Sequence, residues 1–249
     1  MKLINKFKSP NYNNRSVSNI KYIIIHYTAL ENKTEALSYL CNPIKKVSCH
    51  FLISQRGIIY NLVNEKKRAW HAGKSFWNDD EDINSLSIGI ELDYSLKFKN
   101  NKFTNQMMQS LQILIKYLRK KYKIFSYNVL GHSDIAPLRK QDPGKSFPWY
   151  KLTKFNLVFH PSKQNNLKII FLKKWFKKNG YQTNKQISIF ILRYIGYETK
   201  SIFENRYNYK KILIAYQSRY LKHNISGKAD LVTLTKLYEH MLSLLLTKK

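Results

Sequence analysis

Residues 131–144 hold one histidine, His132, two aspartates, Asp134 and Asp142, and the cations Arg139 and Lys140, and they close on Pro143-Gly144. Imidazole and carboxylate are ligand types for a borderline-soft divalent cation such as zinc, and Pro137 and Pro143 stiffen the loop that carries them. A second histidine, His26, ends a separate apolar run at 22–25. If the strand ending at His26 neighbours the one that delivers the loop, then His26, His132 and Asp142 make a three-ligand site with a fourth position for water. That open position separates a catalytic zinc centre from a structural one.

Such residues need rigid elements behind them. The run 21–27 is continuous and β-branched, as in a buried strand. Residues 33–40 suit a short helix ended by Asn42-Pro43, and 48–54 and 58–63 flank Gln55-Arg56-Gly57 as a hairpin. Alternation in the first hairpin strand puts Cys49, Phe51 and Ile53 on one face, His50 and Leu52 on the other. Residues 66–85 read as a long loop in which Trp70, His71, Phe76 and Trp77 lead into four acidic residues, a suitable wall for a groove. A further buried strand spans 86–92, with Glu91 and Asp93 at its end. Thr104 is placed to cap a helix through Leu111, Leu114, Ile115 and Leu118 that stops at the basic cluster 119–121. A strand over 124–130 then delivers the loop. Strands interspersed with helices predict an α/β layer fold.

Periodicity breaks over 152–166, where Asn, Ser, Lys and Pro161 cluster. Beyond it, 167–178, 185–195, 209–220 and 231–246 read as helices, with Gly180 and Gly196 where C-terminal caps belong. The chain therefore divides into an extended polar leader (1–19), a first domain (20–152), a linker (153–166) and a small C-terminal helical domain (167–249).

Six segments stand in one order: Ile-Ile-His-Tyr-Thr at 24–28, Ser-Cys-His-Phe-Leu-Ile at 48–53, Ala-Trp-His-Ala-Gly at 69–73, Ser-Ile-Gly-Ile-Glu-Leu at 87–92, the loop 131–144 and Phe147-Pro-Trp149. Together they resemble the zinc-dependent N-acetylmuramoyl-L-alanine amidases, the type 2 amidase family that includes the peptidoglycan recognition proteins, in its two-domain bacterial branch. The resemblance covers most of 20–152. It extends more faintly to the C-terminal third, where Gly227-Lys-Ala-Asp230 after Ala215-Tyr-Gln217 resembles a three-helix peptidoglycan-binding module.

The resemblance implies a mixed central β-sheet flanked by helices and one zinc ion on His26, His132 and Asp142. It also implies hydrolysis of the amide between the lactyl group of N-acetylmuramic acid and L-alanine, in peptidoglycan or in muropeptides. Glu91 falls on the family's general base, and Lys140, two residues before Asp142, on a cation beside the metal that stabilises an oxyanion. Arg139 is expected to grip a stem-peptide carboxylate, and His50, Trp70, His71 and Asn84 to line the substrate groove. His160, His223 and His240 stand in no such context and read as structural. Two positions depart from the usual pattern: Cys49 precedes His50 where a small or tyrosyl residue is common, and Leu92-Asp93-Tyr94 replaces Glu-Asn after the base. If the strand continues through Asp93, both carboxylates share a face and Glu91 titrates high; if it ends first, they part. Relatives that bind wall fragments without cutting them typically lack a zinc ligand, and all three candidates are present here.

The chain of 249 residues is 43% apolar, enough for a real core, and carries a formal charge of +29. Polyanions are the usual partners of such a protein. Only eight of its 44 basic residues are arginine, whereas a surface that reads phosphates two-pronged favours arginine, so a nucleic acid is not the expected partner. An acidic wall fragment suits the charge better, and 151–249, with 20 basic and 4 acidic residues, carry it more densely than the rest. Cys41 and Cys49 are too few for a disulfide scaffold and are expected as buried free thiols. No apolar stretch reaches the length of a membrane span, and the first ten residues lack the apolar core of a signal peptide. The expected location is the cell envelope if a targeting segment preceded this chain, or the cytoplasm if Met1 is the true start.

Overall fold

Parallel strands organise the first unit. The computed structural model describes residues 3–97 and 102–247, so the leader expected over 1–19 starts, and the helical region expected to 249 ends, outside the described residues. Two compact units are present. The first takes Met1–Ser75, Glu81–His132 and Ser146–Phe159; the second takes Phe76–Asp80, Ser133–Lys145 and His160–Lys249.

In the first unit, β1 (Leu3–Ile4), β2 (Tyr12–Asn14) and β3 (Tyr22–Tyr27) precede α1 (Lys33–Cys41), β4 (Phe51–Ile53), β5 (Ile59–Asn61) and β6 (Lys67–Ala69). There follow α2 (Ile83–Leu86), β7 (Ser87–Leu92), α3 (Asn105–Tyr122) and β8 (Val129–Gly131), which runs directly into α4 (His132–Ile135); α5 is Tyr150–Thr153. The main sheet has the order β1-β5-β4-β7-β3-β8. Its β4, β7, β3 and β8 are parallel neighbours, and β5 closes an antiparallel hairpin with β4.

Alternation along these strands sorts two faces. Ile23, Ile25, Phe51, Ile53, Ile88, Ile90 and Leu92 point to one side, where Met107, Leu111, Leu114, Ile115 and Leu118 of α3 complete the core. The apolar positions of α3 recur at helical spacing, and the Thr104 hydroxyl caps it by accepting from the Met107 N–H at 3.1 Å. On the other side α1 packs Ala36, Leu37 and Leu40 against Leu52, Tyr60 and Leu62. His26 and Glu91 fall on this second face.

Several expectations are corrected. The Cys49 side chain joins the Leu52 cluster and not that of the Phe51 ring, its thiol donating to the Phe51 carbonyl (3.2 Å), because the strand begins only at Phe51 and alternation does not reach back to Cys49. Cys49 is a buried free thiol as expected, but Cys41 is only half-buried. The stretch 66–85 is not all loop: β6 pairs with β2, and α2 precedes β7. The strand expected over 124–130 is shortened to β8 by a 3-10 turn at Ser126–Asn128.

The second unit contains α6 (Asn166–Lys178), α7 (Asn184–Ile195), α8 (Arg206–Tyr220) and α9 (Leu231–Thr247). Thr183 and Gln186 form a reciprocal capping box at the start of α7. Phe176, Leu192, Tyr197, Leu213, Tyr216 and Leu237 are buried at its centre. The Gln217 and Gly227–Asp230 pattern has a local purpose. The Gln217 amide accepts from the Gly227 N–H (2.8 Å) and donates to Thr233 Oγ1 (2.8 Å), while Asp230 caps α9 through the Thr233 N–H (2.8 Å). Gly196, at φ +131°, ends α7, and a side chain there would meet the Trp77 ring at 2.7 Å. This close approach lets the Asn78 N–H reach the Gly196 carbonyl (2.9 Å) and seats Trp77 edge-on to Tyr197.

Candidate active site

His26, His132 and Asp142 come together: one ligand atom from each lies within 4.8 Å of the others. The topology accounts for the two histidines. His26 ends β3; Ile25 is the register partner of Gly131 in β8, so the residue after Gly131 emerges beside His26. Both sit at the carboxyl ends of parallel strands, where open α/β sheets place their sites. Asp142 is set by the loop's own closure, since the Ser133 N–H donates to the Asp142 carbonyl (2.8 Å).

Hydrogen bonds around the two rings select their tautomers. His132 Nε2 donates to the Ala72 carbonyl (3.2 Å). His26 Nε2 lies 3.0 Å from His71 Nδ1, His71 Nε2 lies 3.1 Å from Ser87 Oγ, and the Ser87 hydroxyl donates to the Ile83 carbonyl (2.5 Å). A chain of donors running His26 to His71 to Ser87 to Ile83 satisfies every step in one direction. It leaves Nδ1 of both His26 and His132 as acceptors, and these two atoms face each other at 2.9 Å. Opposed lone pairs at that distance repel unless a cation stands between them, and ligating histidines are oriented by outer hydrogen bonds of this kind. With a carboxylate as third donor, the set fits a metal ion of the zinc type.

His71 is thus enclosed beside His26. Burial, then the neighbouring His26, His50 and His132, pushes it well below the usual imidazole range. It packs flat on β7 because Gly89 has no side chain: a Cβ there would lie 2.4 Å from His71 Cγ. His50 is fully buried, its Nδ1 accepting from the Gly89 N–H (3.0 Å) and its Nε2 donating to the Lys67 carbonyl (3.0 Å). Asn84 is buried too and accepts from the N–H groups of His71 (3.0 Å) and Ala72 (2.8 Å). Trp70 is half-buried and donates to Asn13 Oδ1 (3.0 Å).

Glu91 is the register partner of His26 on the adjacent strand and is half-buried. β7 ends at Leu92, so Asp93 leaves the strand; it accepts from the Gln55 N–H (3.3 Å), and burial raises its pKa. Arg139 and Lys140 are exposed on the loop, where both N–H groups turn back to the Ala136 carbonyl. Arg139 is close enough to Asp142 to feel its charge.

Arg15 was not legible as part of this region. Its guanidinium donates to the carbonyls of Glu65 (3.1 and 2.9 Å), Asn84 (3.1 Å), Ser85 (2.6 Å) and Ser87 (2.9 Å). It thereby fixes the entry to β7 behind His50 and His71, and burial lowers its pKa to about 10. Its oxygen partners are main-chain carbonyls 50 or more residues away, its Nη2 also lies 2.9 Å from His50 Nε2, and no local pattern announces them.

The comparisons with known proteins agree with this geometry. The family model described as N-acetylmuramoyl-L-alanine amidase matches residues 16–145. The N-acetylmuramoyl-L-alanine amidase AmiD of Escherichia coli is 31% identical over 227 residues, covering 86% of this chain and 79% of that protein. The solved complex of E. coli AmiD with anhydro-N-acetylmuramic acid-L-Ala-D-gamma-Glu-L-Lys superposes with a TM-score of 0.73 at 28% identity, over 96% of this chain and 91% of that one. AmpDh3 of Pseudomonas aeruginosa, solved with an anhydromuramic pentapeptide, gives 0.73 at 27% identity, over 88% and 90%. A mixed sheet with a His-His-Asp set that could hold a metal ion, together with these relatives, places the chain among amide hydrolases. The chain belongs to the N-acetylmuramoyl-L-alanine amidase family, enzymes that act on peptidoglycan. Among the described residues no helix is long and apolar enough to cross a membrane.

Proposed function

We propose that this amidase is a zinc enzyme that releases the stem peptide from muropeptides, anhydro-muramyl forms among them. The observation that carries the reading is the convergence of His26, His132 and Asp142 with both Nδ1 atoms turned inward. Zinc, when bound, supplies Lewis acidity toward the amide carbonyl and lowers the pKa of water.

The chain's own residues do the rest. Glu91, one strand from His26, takes a proton from the attacking water and delivers it to the departing alanine nitrogen, so that amide plus water becomes a lactyl carboxylate and a free amine. Lys140 stabilises the negative charge that develops on the carbonyl oxygen. Arg139 pairs with a stem-peptide carboxylate. His71 and Asn84 support the metal centre from behind, through His26 and the 71–72 backbone. The excess of positive charge favours an acidic ligand, and two relatives were solved with anhydromuramyl peptides.

Mass spectrometry of an anhydromuropeptide incubated with the protein tests this. Anhydro-N-acetylmuramic acid and a peptide beginning with free L-alanine are expected. An intact substrate, or cleavage at any other bond, overturns the reading.

A further inference from the structure

The loop that carries Asp142 is fastened at a point removed from its ligand atoms. Asp134, two residues after His132, is 1% exposed in its side chain. One carboxylate oxygen accepts from the Tyr197 hydroxyl (2.8 Å) and the other from the Arg219 guanidinium, itself only 4% exposed. Tyr197 follows the Gly196 cap of α7, where Trp77 packs on it, and Arg219 lies in the last turn of α8. Two helical turns earlier, Lys211 of α8 donates to the Leu138 carbonyl of the same loop (3.3 Å). Segment 76–80 joins in, the Phe76 N–H donating to the Ile135 carbonyl (2.8 Å).

An enclosed carboxylate with two donors cannot shift without leaving buried polar groups unpaired, so it holds one position. A buried pair of this kind contributes little net stability, and fixing the register of neighbouring elements is its best-attested use. Here the neighbours are ligands. Asp134 is joined by two peptide bonds to His132, and the adjacent Ser133 N–H holds the Asp142 carbonyl.

We infer that Arg219 and Tyr197 are positioning residues for the metal centre, acting through Asp134 to keep His132 and Asp142 in the arrangement that takes the ion. The inference rests on the zinc reading above. It makes helices α7 and α8 part of the support of the loop that carries Asp142.

The test measures zinc affinity by competition with a chromogenic chelator, and the absorption bands of the cobalt-substituted full chain, in Tyr197→Phe, Asp134→Asn and Leu237→Ala. Leu237 is buried in α9, and its side chain has no hydrogen-bonding atom to offer the loop. Outer partners of metal ligands are typically worth about ten- to a hundredfold in affinity. Weakening of that size and shifted cobalt bands are expected in the first two variants. Leu237→Ala should lose thermal stability with affinity and bands unchanged. Wild-type affinity and spectrum in folded Tyr197→Phe and Asp134→Asn overturn the inference, as does equal weakening in Leu237→Ala. If Asp134→Asn fails to fold, Tyr197→Phe, which keeps the ring and deletes one oxygen, decides alone. A wild-type chain that takes up no zinc would instead sink the proposed function.

Discussion

His26 and Glu91 are register partners across the β3–β7 pair, so an imidazole ring and a carboxylate project from the same face of the sheet, one strand apart. Parallel pairing fixes that relationship more firmly than any loop could, since a one-residue slip of either strand would turn its own side chain to the α3 side and part the two. It gives the proposed base a fixed place beside the candidate metal ligands.

Glu91→Gln keeps the size and removes the basicity. Metal content should stay at the wild-type level while kcat falls about 10²- to 10⁴-fold, the usual contribution of a positioned base. Stopped assays of muropeptide cleavage alongside elemental analysis check this, and unchanged turnover would remove Glu91 from the mechanism.

Gly89→Ala places a methyl group where His71 now lies, 2.4 Å from Cγ. Overpacking of this kind costs about 1–3 kcal/mol. Because His71 orients His26, the variant should also bind metal more weakly. Thermal unfolding and a chelator titration read the two effects separately.

Arg15→Met deletes a half-buried cation whose donors satisfy carbonyls at Glu65, Asn84, Ser85 and Ser87. Removing one charged donor from buried acceptors costs about 1.5–3 kcal/mol, so a loss at or above the top of that range is expected in urea unfolding. Arg15→Lys should recover only part of it, because an ammonium cannot span carbonyls on separate segments.

His50 sets an acid limit on stability. Burial, then the nearby Arg15, lowers its pKa to about 3, against about 6.5 in an unfolded chain. Between those values the unfolded chain binds the extra proton, so this contribution is complete above about pH 6.5 and is lost as pH falls toward 3. The urea midpoint should drop across that window, and His50→Gln should flatten the slope.

Much of the site could be read from the chain before its structure. His26 ends an apolar strand and His132 opens a Pro-stiffened loop, so both announce themselves locally, and the hairpin at 55–57 and the α3 cap at Thr104 follow ordinary turn and capping chemistry. What stayed hidden depends on long-range pairing. Strand β6 is short and basic, and only its partner β2 makes it a strand. Arg15 looks like one cation among many until the carbonyls around it are seen. The grouping of 76–80 and 133–145 with the C-terminal helices rests on Gly196, Tyr197 and Arg219, residues whose partners lie 63 to 120 positions back along the sequence.

The most direct test of the central claim is metal content measured together with turnover, in the wild-type chain and in His132→Ala. One zinc per wild-type chain is predicted, with cleavage abolished by chelation and restored by added zinc, and neither metal nor turnover in the variant. Full activity in the chelated protein, or full zinc occupancy in His132→Ala, would contradict the account.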